Sequence, residues 1–264
     1  MEKQTDNLKT NPIMINFQKE LEFVNKRYQV PIVWKSESDK QNVINNFPIA
    51  LKRLNNLYNK LDKDPDLKKD YHEIFSQYEK DNIIEEIPAE ELSNHTLEKP
   101  CQCNFTVEKP CQCKYTGKPY QRNKSVKFYL PHRPIIRESS STTKIRPVFD
   151  GSAKGYNGIS LNDCVETGPS LNPDMVKVIL CFRRWPVALS ADISKAFLQL
   201  LVAPSDRNYH CFLLKIGDLI RHMRFVRLPF GNRCSPFVLN ATIQTHLDKY
   251  SDSHVIHEIK HHFL

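Results

Sequence analysis

The chain has 264 residues, 40% of them hydrophobic and 26% charged, which fits one large or two ordinary globular domains and excludes a disordered or fibrous chain. No apolar run approaches the ~18 residues of a membrane span, and the opening residues form no signal peptide, so no membrane partner and an intracellular, cytoplasmic location are expected. In that setting the eight cysteines read as free thiols or metal ligands before disulfides. The formal charge of +8 favours an acidic partner, and its distribution is uneven. Residues 1–100 hold 15 basic against 18 acidic side chains. Between Lys118 and Lys154, Lys118, Arg122, Lys124, Lys127, Arg133, Arg137, Lys144, Arg146 and Lys154 stand against only Glu138 and Asp150. With Tyr120, Phe128, Tyr129 and Phe149 among the cations, this segment has the make-up of a phosphate-backbone contact surface. A solvated basic loop is the plainer alternative.

Residues 1–45 read as a connector, with short extended pieces at Phe23-Val24 and Tyr28 to Trp34 broken by Pro31. From Asn46, Ile49, Leu51, Leu54, Leu57, Tyr58 and Leu61 recur at helical spacing. Asp64-Pro65 supplies an N-cap and first-turn proline for a second amphipathic helix carrying Leu67, Tyr71, Ile74, Phe75 and Tyr78. Glu98 to Thr106 then recurs ten residues later as Glu108 to Thr116, so residues 89–118 form a cysteine-rich insert with a short tandem duplication. Cys101, Cys103, Cys111 and Cys113 offer four thiolates to a tetrahedral zinc ion. Their Cys-x-Cys spacing departs from the usual knuckle, no histidine follows at a fitting distance, and an inert loop without zinc is the expectation.

Val126 to Arg137 reads as a strand entering a proline-bounded turn, and Lys144 to Phe149 as another strand. Lys144 and Arg146 are two apart, so both project from one face, where a triphosphate could lie. Asn172-Pro173 is expected to cap a helix running from Met175 to Phe182. Val187, Leu189, Ala191 and Ile193 alternate with smaller or polar residues, the pattern of a strand buried on one face and ending near Asp192. A hairpin about Gly217-Asp218 and a last helix opening at Ser235-Pro236 complete the pattern. Alone, Asp192 would pass for a turn-capping carboxylate and Phe197 for a core aromatic.

Taken together, Tyr129-Leu130-Pro131-His132, the Ser/Thr run, Lys144 to Asp150, Ser160 to Asp163, Gly168-Pro169, Ala191 to Lys195 and Phe230 to Phe237 occur in the order found in reverse transcriptases. They resemble most the polymerase region of BEL/Pao-class long-terminal-repeat retrotransposons. The resemblance implies an α+β fold, the fingers and partial palm of a right-hand polymerase behind an N-terminal helical connector. It divides the chain into a connector at 1–45, fingers at 46–160, palm at 161–203, a fingers hairpin at 204–232 and further palm at 233–264. It implies RNA-directed DNA synthesis with RNA/DNA template-primer and deoxynucleoside triphosphates as partners, and Mg2+ or Mn2+ as cofactor. Asp192, with the Ile193 carbonyl, would hold metal. Lys144 and Arg146 would neutralise the triphosphate, Phe197 would exclude a 2′-hydroxyl, and Phe230 and Gly231 would pack beside the nascent base pair. The charge distribution, rather than the resemblance, singles out Lys118, Arg122, Lys124, Lys127, Arg133 and Arg137 as the contacts expected to nucleic acid.

The family's Tyr/Phe-x-Asp-Asp turn is missing from these residues, which contain no Asp-Asp pair. Thumb, connection and RNase H regions are missing as well. The expectation is therefore a catalytically incomplete piece of a polymerase, with a decayed or domesticated non-catalytic nucleic-acid-binding protein as the alternative.

Overall fold

Residues 10–93, 126–137, 144–184, 186–187, 189–250 and 259 are described by the structure, a computed structural model. Asn11 opens helix α1 (Pro12–Glu20), its side chain accepting from the Ile13 and Met14 amides ahead of the buried Met14 and Phe17. Strands β1 (Glu22–Val24) and β2 (Arg27–Val30) form a hairpin turned by Asn25 and Lys26, both at positive φ. After α2 (Glu37–Asn42) come the two helices legible from periodicity, α3 (Phe47–Leu61) and α4 (Pro65–Lys80). Asp64 caps α4 by accepting from the Leu67 amide at 3.0 Å. Strand β3 (Ile84–Glu86) and α5 (Ala89–Ser93) follow.

The ribbon β4 (His132–Ile136) and β5 (Ile145–Phe149) comes next. Its strand lies later in the chain than the Val126–Arg137 pattern placed it, with Pro134 paired opposite Pro147. A one-turn helix α6 (Leu161–Cys164) precedes α7 (Met175–Phe182), which is capped by Asp174 rather than Asn172. A 3-10 turn (Ala196–Gln199), β6 (Leu201–Val202) and a second 3-10 stretch (Pro204–His210) lead to the hairpin β7 (Cys211–Ile216) and β8 (Leu219–Phe225). Gly217 turns that hairpin at positive φ, and α8 (Ser235–Asp248) ends the described body.

Three small sheets result, ordered β1-β2-β6, β3-β8-β7 and β4-β5. Between them lies an aromatic core of Tyr71, Phe75, Phe149, Phe212 and Phe225, with Phe149 and Phe225 rings 4.7 Å apart, edge to face. His132 sits inside this cluster, its Nε2 donating to the Leu213 carbonyl at 2.7 Å and its Nδ1 accepting from the Tyr71 hydroxyl at 2.7 Å. Burial pushes its imidazole down to about 4, so it is neutral in the fold.

The N-terminal stretch is woven into this body. β2 runs parallel to β6, and the buried Asp206 carboxylate accepts from the Ile32 amide at 2.9 Å, the Trp34 indole at 3.2 Å and the Lys40 ammonium at 3.1 Å. Burial works against the Lys40 charge, but Asp206 outweighs it and holds Lys40 above the ordinary lysine value.

The strand expected over Val187 to Asp192 is not seen among the described residues. Its described residues are irregular, with Val187 75% and Leu189 90% exposed. Alternation yields a strand only where one face is covered and the backbone finds a paired edge, and none of the described strands pairs with this segment. The adjoining α7 shares its situation: Val178 is buried, while Met175, Val176, Leu180 and Phe182 face solvent.

Candidate functional site

The β4–β5 register sorts the ribbon's side chains. Arg133 lies opposite Val148 and Ile135 opposite Arg146, and the Arg137 amide donates to the Lys144 carbonyl at 2.7 Å. Since side chains alternate along a strand and opposed residues share a face, Arg133, Arg137, Lys144 and Arg146 all project from the same side. All four are exposed. The opposite face turns His132 and Phe149 into the core. Sequence spacing alone linked Lys144 to Arg146; the register adds the two arginines.

Lys127 does not join them. It is fully buried, and its ammonium donates to the Glu91 carbonyl at 2.6 Å. Burial and the nearby Arg224 lower its pKa against the pull of Cys211 and Glu91. The expectation that Lys127 contacts nucleic acid is corrected on this ground: an ammonium with no exposed surface cannot reach a phosphate. Lys118, Arg122 and Lys124 lie outside the described residues, as do Cys101, Cys103, Cys111 and Cys113.

At its core end the ribbon meets the loop from Pro229 to Arg233. Gly231 adopts φ 107, and a Cβ there would run into the Phe149 carbonyl oxygen, so the loop lies backbone-to-backbone on β5. One residue earlier, Phe230 packs edge-on against Phe197 with ring centroids 4.6 Å apart. Phe197 comes from the 3-10 turn, whose entry residue Lys195 is held in the left-handed region at φ 51. The structure thus brings together Phe197, Phe230 and Gly231 beside the strand that carries Arg146.

The sequence reading missed what fixes this loop. Asn162, on α6, donates to the Gly231 carbonyl at 3.1 Å and to the Ser152 hydroxyl at 2.9 Å, and accepts from the Arg233 amide at 2.9 Å. From below, Asn232 donates to His210 Nε2, and His210 Nδ1 donates to the Asp206 carbonyl at 3.3 Å. Burial pushes the His210 imidazole down to about 4, which keeps Nε2 free to accept. The Ser235 hydroxyl closes the loop on the Pro229 carbonyl at 3.1 Å. The one local signal for α6 was its capping box. Ser160 Oγ accepts from the Asp163 amide and the Asp163 carboxylate from the Ser160 amide, and hydrogen bonding to Ser160 holds that carboxyl below the ordinary range.

Asp192 stands apart as a single exposed carboxylate on the irregular segment, next to the exposed Ile193. Among the described residues no group of three or more His, Cys, Asp or Glu side chains is placed to hold a metal ion. A two-ion site of the family kind therefore does not fit the described residues by themselves, since each divalent charge needs several oxygen ligands. Nor is any described helix long and apolar enough to cross a membrane. The four described cysteines are free, with burial pushing the Cys211 thiol up to about 12 and the Cys234 thiol up to about 11.

The molecule is thus a mixed helix-and-sheet protein with small sheets, whose candidate site combines a basic ribbon face with an aromatic pair whose glycine loop lies against the ribbon's core end. No protein-family model and no curated protein matches the chain.

Proposed function

We propose that this chain is the nucleotide-gripping part of a reverse-transcriptase-like polymerase, a fragment of a retrotransposon polyprotein of the BEL/Pao kind. The observation that carries the reading is the ribbon register, which lines up Arg133, Arg137, Lys144 and Arg146 on one open face. Lys144 and Arg146 are the pair assigned to the triphosphate, and Arg133 and Arg137 extend that charge along the ribbon for a nucleic-acid backbone. Guanidinium groups suit this work because their fixed fork matches phosphate oxygens. The Phe197–Phe230 pair supports the reading from the other side, as an apolar wall against which a sugar and base would rest.

Synthesis itself would need Mg2+ or Mn2+ held by Asp192 with carboxylates supplied from outside the described residues. Asp192 alone leaves two divalent charges largely uncompensated, so the chain as it stands is expected not to extend a primer. The lone, exposed Asp192 equally favours a second reading, a non-catalytic nucleic-acid-binding protein derived from such a polymerase.

The test is titration with a deoxynucleoside triphosphate and with single-stranded RNA, alongside primer extension on an RNA template with magnesium or manganese. Expected are salt-sensitive binding of both ligands, weakened by Lys144→Ala with Arg146→Ala, and no extension above an Asp192→Asn control. RNA binding without triphosphate binding would favour the second reading, and loss of neither ligand in the double mutant would remove the ribbon from both.

A further inference from the structure

The Asn162 side chain spends every contact it makes on two loops that carry the candidate site. Its Nδ2 donates to the Gly231 carbonyl and the Ser152 hydroxyl, its Oδ1 accepts from the Arg233 amide, and its backbone amide donates to the Gly151 carbonyl at 3.0 Å. The two loops are already as close as backbone permits, since a Cβ on Gly151 would lie 2.7 Å from the Gly231 oxygen. Asn162 itself rests on a rigid base. Leu161 and Cys164 on either side are buried, the Ser160–Asp163 box closes the turn, and Lys35 donates to the Asp163 carbonyl at 2.7 Å. What the loop presents is Phe230, half exposed and edge-on to Phe197.

We infer that Asn162 is a positioning residue for the sugar-discriminating wall: its amide locks the Phe230–Gly231 loop onto the end of the basic ribbon, holding Phe230 against Phe197 at a fixed distance from Arg146. The inference rests on the nucleotide-site reading above. A steric wall discriminates only as finely as it is held, because a loop free to move by an ångström accommodates a hydroxyl that a fixed one rejects. The side-chain amide suits the task because it is donor and acceptor at once: Nδ2 takes the Gly231 carbonyl and Oδ1 takes the Arg233 amide, two backbone groups of opposite kind. The side-chain hydrogen bonds of Asn162 all go to protein groups, so its loss should leave the overall grip on a triphosphate largely in place.

The experiment compares Asn162→Ala and Asn162→Asp with the unchanged protein and with Arg146→Ala. Calorimetry gives the affinities for dGTP and GTP, and amide hydrogen exchange is followed at Arg233. The unchanged protein is expected to prefer dGTP, and both Asn162 variants to narrow the dGTP/GTP ratio severalfold. Arg146→Ala should weaken both ligands alike and keep the ratio. Exchange at Arg233 should speed up by roughly tenfold in Asn162→Ala, where its acceptor is gone, and stay near the original in Asn162→Asp, which keeps an oxygen there. If the unchanged protein binds dGTP through Arg146 but the ratio survives Asn162→Ala, the positioning role is overturned and the site reading stands. If the unchanged protein binds neither nucleotide, the site reading falls and the positioning role with it. Unaltered Arg233 exchange in Asn162→Ala overturns the lock itself.

Discussion

Gly231 combines a left-handed backbone with the closest loop-to-strand approach near the candidate site. Gly231→Ala should therefore cost about 2 kcal/mol or more, as the φ penalty adds to a clash with backbone that cannot swing away. Gly217→Ala is the control: its φ of 59 is also left-handed, but nothing lies within 4 Å of an added Cβ, and a loss near 1 kcal/mol is expected. Thermal denaturation of the two variants checks the difference, and equal losses would mean that the Phe149 contact carries no weight. At Phe197 the expected change is functional: Phe197→Val shortens the wall beside Phe230 and should improve GTP binding relative to dGTP, read by the same titrations. Phe197, Phe230 and Gly231 entered the sequence reading only through the motifs of the family resemblance, and the structure places Phe197 against Phe230 and Gly231 against Phe149. The roles of Asn162 and Asp206 were not legible in the sequence, since their partners are 69 and 174 residues away and no local pattern announces them.

At the scale of elements, the ribbon's exposed face makes a quantitative claim about salt. Replacing Arg133, Arg137, Lys144 or Arg146 by Ala should each lower the slope of log affinity against log salt for single-stranded RNA by about 0.7. Lys127→Ala should leave that slope unchanged, because its ammonium is spent on the Glu91 carbonyl. A Lys127 effect equal to that of Arg146 would place Lys127 at the surface. The elements that periodicity announced, α3, α4, the Gly217 hairpin and α8, owe their form to local signals: an apolar stripe, an Asp-Pro cap, a turn glycine and a Ser-Pro start. The segment from Val187 to Asp192 carries an equally clean alternation, and its described residues are irregular. Strand formation depends on a distant partner, which alternation cannot supply.

Two buried neutral histidines tie the whole molecule's stability to pH. His132 and His210 both have folded values near 4, against about 6.5 when unfolded. Between those values the unfolded chain binds protons that the folded one refuses, so their stabilising contribution is present above 6.5 and is lost as pH falls towards 4. Each is expected to cost on the order of 3 kcal/mol by pH 4, visible as a falling urea midpoint. His132→Gln with an unchanged pH profile would assign the acid sensitivity elsewhere. Asp206 acts on the same scale by binding the N-terminal stretch to the second 3-10 segment. Asp206→Ala strands the Lys40 charge and two donors, and should cost roughly 3–5 kcal/mol. Faster exchange at the Ile32 amide would mark where the molecule opens first. The parallel pairing of β2 with β6 that it protects joins residues about 170 positions apart, a contact that composition and periodicity do not encode.

The opposed prolines of the ribbon have a consequence for self-association. Arg137 donating to Lys144 fixes the alternation of the ladder, and three steps along it Pro134 and Pro147 fall in a pair whose backbone groups point outward. Each outer edge therefore lacks an amide hydrogen at its middle, where an incoming strand would dock. A two-stranded ribbon that no other described strand flanks is a natural seed for fibrils, and here both sides are blunted by the same residue type. Pro147→Val should restore a donor on one side, and thioflavin-positive aggregation on concentration, absent from the parent chain, is the expected sign.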